Sequence, residues 1–182
     1  CANTWPVIQT NGVESIMAQF RVCPQSGLYF NQSAESLMKA NAVAAVVSLL
    51  FAGTLALLIA LTRWQTVHLL DAETFYMVLT SHGITALIFW LIFFEMAILY
   101  FASSTLLRSR LATPRWAWLG FALMLIGAIT TNVAIFQGGS SVMMTSYVPM
   151  PAAPHFYLGL ILFAVGALIG CFVFLGTLVV AK

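Results

Sequence analysis

Four apolar runs, each about 20 residues or longer, organise this chain. As an α-helix, such a run rises about 30 Å, enough to cross the hydrocarbon layer of a bilayer. The runs cover about 41–62, 74–107, 114–137 and 155–181, behind a polar N-terminal segment at 1–38. Hydrocarbon offers a backbone N–H or C=O no partner, so spanning segments of this length must be helices. The expected fold is all-α: a polytopic membrane bundle with four transmembrane helices within 39–182. Composition rules out a soluble domain. Hydrophobic residues make up 62% and charged ones 7%, where soluble domains carry about 25% charged residues. No run has the short apolar core behind a basic start that marks a signal peptide.

The ends of the runs carry their own chemistry. Asp71 followed by Glu73 reads as an N-cap with a first-turn acid. Thr113-Pro114 reads as N-cap and first helical residue, and Pro154 as the start of the fourth helix. Gly138-Gly139 reads as the stop of the third. Lys and Arg in short loops set orientation. The second loop holds Arg108, Arg110 and Arg115 without an acid, and the N-terminal segment holds Arg21 and Lys39. The first loop has Arg63 beside Asp71 and Glu73, and the third has no charge. This pattern places both termini inside. Ala52/Ala56, Gly120/Gly127 and Gly166/Gly170 repeat at spacings that let membrane helices approach closely.

Cys171 lies in an apolar run and reads as an inert packing residue. Cys1 and Cys23 flank a segment that has no clear periodicity and reads as loop. In a cytoplasmic segment they are not expected to form a disulfide; a lipid-bearing Cys1 would need an exported N-terminus.

Two ionisable residues fall inside a span, His82 and Glu95, both in the second. Such residues mark functional sites by default. Neutral imidazole is a ligand for metals and haem iron, and it also serves simply as a hydrogen-bonding partner between helices. Gly83 leaves room beside the ring, and Ser81 and Thr80 are candidates to support it. Glu95, thirteen positions on, lies about 220° around the helix from His82 and suits a structural or subunit contact. There is no CxxC, HExxH or phosphate-binding glycine loop, and no basic patch fit for nucleic acid.

Three motifs resemble subunit I of the haem-copper oxidases, in its N-terminal part. Ala52-Gly53-Thr54-Leu55-Ala56-Leu57-Leu58-Ile59 is similar to a run ending that subunit's first helix. Phe75-Tyr76-Met77-Val78-Leu79-Thr80-Ser81-His82-Gly83 resembles the stretch opening its second. Thr145-Ser146-Tyr147-Val148-Pro149-Met150 resembles its loop between helices three and four. The resemblance implies that these helices are part of a larger oxidase bundle. It further implies that His82 is an axial ligand of the low-spin haem, with Ser81 and Gly83 beside the cofactor. The second axial ligand, the copper and the high-spin haem would then come from the remaining helices of subunit I, on a partner chain if the subunit is split in two or on the rest of a longer chain if this is a fragment. Other oxidase subunits, a cytochrome c or cupredoxin donor, and an energy-transducing prokaryotic plasma membrane are implied likewise. Arg108 to Arg115 occupies the place of the proton-entry loop of one large branch, which points to the B-type branch or a divergent relative.

Two other readings stand beside this one. A self-contained membrane cytochrome b would pair His82 with His155, although their expected depths differ by roughly 10–15 Å. A non-haem assembly or structural subunit would use His82 only for packing.

Overall fold

The computed structural model describes residues 20–140, 147 and 150–181. A short antiparallel hairpin of β1 (Phe20–Val22) and β2 (Tyr29–Asn31) leads into four long helices. These are α1 (Gln32–Arg63), α2 (Ala72–Leu106), α3 (Pro114–Gly138) and α4 (Pro154–Val180). All four are long and apolar enough to span a membrane. At most 39% of the residues in any helix's most apolar stretch are buried within the chain. The rest of that apolar surface must meet lipid or other helices. The chain is an integral membrane protein.

Local signals explain the helix starts. The Asn31 side chain accepts the Ala34 N–H at 3.3 Å, so α1 begins well before the apolar run. Its first turns stay polar because Glu35 binds Arg21 at 2.5 Å and Lys39 at 2.7 Å. Asp71 caps α2 by accepting the N–H groups of Glu73 and Thr74 at 3.1 and 3.2 Å. Proline opens α3 and α4. Gly138, at φ +79°, closes α3 in a backbone conformation that costs glycine little.

The hairpin corrects the reading of the N-terminal segment as loop: strands of three residues are too short to show alternation. The hairpin seals one end of the bundle. Phe30 packs on Phe101, and the Arg108 guanidinium lies 4.8 Å from the centre of the Tyr29 ring. A second correction concerns Cys23, which is 5% exposed and disulfide-bonded, against the expectation for a cytoplasmic segment. In the tight turn around it, the Cys23 N–H donates to the Leu28 carbonyl at 2.9 Å and the Gly27 N–H donates to the Cys23 carbonyl at 2.8 Å. Cys171 is a free thiol.

The tightest packing is between α3 and α4. A Cβ on Gly127 would stand 2.5 Å from the Phe163 nitrogen and 2.6 Å from the Gly159 oxygen. Gly120 faces Gly166 in the same way, whereas Gly170 faces Met96 of α2. Phe163 then sits between Phe89 and Phe93, with ring centres 4.6 and 5.6 Å away. Two wide turns interrupt α2, at Thr85–Phe89 and Ala102–Leu106. Such turns rotate the residues that follow them and often occur at functional sites.

Gly127→Ala is expected to cost about 1–3 kcal/mol by forcing the seam apart. Gly53→Ala, where the added Cβ meets nothing within 4 Å, should be near neutral. Thermal unfolding in nanodiscs compares the two. Asp71 supplies a pH test. The Thr74 hydroxyl, followed by the Thr74 N–H, holds its carboxyl below the usual range. The group's contribution to stability is therefore present above the unfolded-state value and fades as pH falls through the depressed one. Asp71→Asn should remove that acid-side dependence from unfolding curves.

Candidate functional site

His82 lies about 15 Å along α2 from its capped start. Its Nδ1 is 2.9 Å from the carbonyl oxygen of Ala52 on α1. A carbonyl only accepts, so Nδ1 carries the proton and donates it. In the neutral tautomer with that proton, the lone pair lies on Nε2. Ligating histidines are commonly held in this way, by a hydrogen bond that fixes tautomer and ring angle. The ring is half-buried, and so is the adjoining Gly83. Two of the sequence motifs thus meet in space, because Ala52 opens the first and His82 nearly closes the second.

The hydroxyls of Ser81 and Thr80 each have a partner of their own. The Ser81 hydroxyl donates to Asn132 Oδ1 at 2.5 Å, and the Thr80 hydroxyl donates back to the Tyr76 carbonyl at 2.9 Å. The support comes from a backbone carbonyl, which carries no side-chain signal in the sequence. Asn132, on α3, ties the region to the α3–α4 pair. Its carboxamide also meets the Thr85 hydroxyl and donates to the Ala128 carbonyl at 3.1 Å. Sequence reasoning passed over Asn132, yet a lone amide in an apolar span was the signal that could have found it. The wide turn that begins at Thr85 follows His82 directly along α2.

The other titratable groups stand apart. Glu95 is exposed on the bundle's surface and forms no ion pair among the described residues. His155, in the first turn of α4, has a buried Nε2 with no partner among the described residues. Two clefts, at the hairpin end of the bundle, are lined by neither His82 nor His155. No group of three metal-ligating side chains gathers among the described residues. In the third motif, Tyr147 and Met150 are joined by a backbone bond of 3.0 Å; Thr145, Ser146, Val148 and Pro149 lie outside the described residues.

Comparison with known proteins follows this geometry. Residues 36–182 match the sequence profile described as cytochrome c and quinol oxidase polypeptide I. The fold resembles a chain of a heme-copper terminal oxidase dimer solved by cryo-electron microscopy. The TM-score is 0.67 and the identity 23%, over 78% of this chain and 24% of that one. This chain therefore spans about a quarter of the length of that relative. No curated protein matches it.

Asn132→Leu would leave the Ser81 and Thr85 hydroxyls without their shared partner. The expected cost is about 0.6–1.7 kcal/mol, read as a lower unfolding temperature in nanodiscs.

Proposed function

The chain belongs to the cytochrome c and quinol oxidase polypeptide I family, and on that premise we propose that His82 Nε2 is one axial ligand of its low-spin haem. Proteins of this family use haem and copper. The observation that carries the reading is the 2.9 Å bond from His82 Nδ1 to the Ala52 carbonyl. It leaves one nitrogen lone pair free, fixes the ring angle, and does so inside a membrane span. The residues present suit the group. Gly83 has no side chain to obstruct a large planar ring, and His82 is only half-buried.

When bound, the haem would supply a one-electron relay between an external donor and the oxygen-reducing centre. The protein's part is to hold the imidazole neutral and correctly aimed. Its proton is held at Nδ1, and Ala52 prevents the ring from turning. Asn132 anchors the same stretch of α2 to α3 through Ser81 and Thr85. The second axial ligand, the copper site and the high-spin haem fall to the remaining helices of subunit I. A cytochrome c or cupredoxin would deliver electrons on the outer face, in the plasma membrane of a prokaryote.

The orientation in this reading has both termini inside, with the hairpin at the inner end. The bridge at Cys23 argues the other way, since disulfides mark oxidising compartments. The loop charges are the stronger signal. Arg and Lys in short loops act directly on insertion, while the cytoplasm of hyperthermophiles also keeps disulfides.

The test is the reduced-minus-oxidised spectrum of the complete oxidase. His82→Ala should lose the low-spin band and at least about 100-fold of the oxygen consumption, since even outer-shell changes reach that size. Ser81→Ala, whose hydroxyl points to Asn132, should keep the band. An unchanged low-spin band in His82→Ala rejects the assignment.

A further inference from the structure

At the hairpin end of the bundle, a cleft of mixed lining and a largely apolar one meet at the consecutive residues Ala112, Thr113 and Pro114. The first, about 470 Å³, is walled by Asn31, Gln32 and Ser33 on one side and Arg110, Leu111 and Pro114 on the other. Asn31 is 2% exposed. Its Oδ1 is used by the Ala34 N–H, and its Nδ2 has no acceptor among the described residues. Arg110 faces no acid. The only acid among the described residues at this end is Glu35, and it is already held by Arg21 and Lys39. Five described cations, Arg21, Lys39, Arg108, Arg110 and Arg115, gather here against that one carboxylate.

The second cleft, about 250 Å³, is lined by Thr113, Trp116, Ile169, Phe172 and Val173. It begins at Thr113, between Ala112 and Pro114, which both wall the first cleft. It extends along the apolar faces of α3 and α4 into the spanning region. Trp116 is 58% exposed, in the position amphipathic rings take at a membrane boundary.

We propose that this pair of clefts binds one anionic glycerophospholipid, its phosphate headgroup between Arg110 and the Asn31 amide and an acyl chain along Trp116 and Phe172. The chemistry is matched at both ends. A phosphate accepts hydrogen bonds from a guanidinium and from an amide N–H, and basic pockets at helix ends take anionic headgroups. A hydrocarbon chain suits an apolar groove that starts at the membrane boundary. A free phosphate would satisfy the first cleft alone, so the adjoining apolar groove favours the lipid. Neither cleft contains His82, and the proposal stands apart from the haem assignment.

The complete oxidase is reconstituted in phosphatidylcholine nanodiscs doped with phosphatidylglycerol, and retained lipid is read by native mass spectrometry. One phosphatidylglycerol should be retained in preference to phosphatidylcholine. Arg110→Gln should weaken retention about fivefold, the effect of one surface cation. Phe172→Ala should weaken it without changing the headgroup preference. An intact low-spin haem band in each variant shows that the complex is assembled. Equal retention of both lipids, unchanged retention in Arg110→Gln, or displacement of the lipid by inorganic phosphate alone overturns the proposal.

Discussion

Every part of this molecule answers to one constraint: hydrocarbon supplies no hydrogen-bond partner. Each spanning backbone group must be satisfied inside its own helix. Five threonine hydroxyls in the spans follow the same rule, whereas the buried Thr105 hydroxyl has no partner among the described residues. Thr54, Thr62, Thr80, Thr131 and Thr177 each donate to the carbonyl four residues back. The polar groups that do cross between helices are few and positional. His82 reaches Ala52, Ser81 and Thr85 meet Asn132, and Thr177 receives the Ala112 N–H. In a medium where apolar surface gains little by clustering, such contacts and close packing decide how helices associate.

Close packing does most of that work on one side of the bundle. The glycines at 120, 127, 159 and 166 bring the α3 and α4 backbones into direct contact. The aromatic cluster around Phe163 then couples this pair to α2. Asn132 adds a polar tie at the level of His82. The histidine is thus held by α1 through a carbonyl and steadied by α3 through its neighbours. A side chain positioned by two helices cannot swing away when one moves slightly, and that kind of fixation suits the ligand role proposed for it.

The two ends of the bundle differ in character. One carries the capped start of α2 and the uncharged third loop. The other carries the hairpin, five cations among the described residues, and two neighbouring clefts. The hairpin belongs to the second end because Tyr29, Phe30 and Arg21 each find partners there. Charge, clefts and Trp116, an amphipathic ring of the kind enriched at membrane boundaries, all lie at this end.

The sequence alone determined the four spans, their all-α character, the Asp71 and proline starts and the Gly138 stop. These follow from local periodicity, length and dihedral preference, which act within a few residues. It also singled out His82, because an ionisable side chain in an apolar run is costly and therefore conspicuous. It did not show which group supports that ring. The answer is a backbone oxygen thirty residues away, and every residue has one, so no residue type announces it. Nor did it show that Gly159 faces Gly127, that Ser81 turns to Asn132, or that Cys23 is bridged. Those facts depend on which faces of separate helices meet, and only the tertiary structure decides that, through steric fit between backbones far apart in sequence.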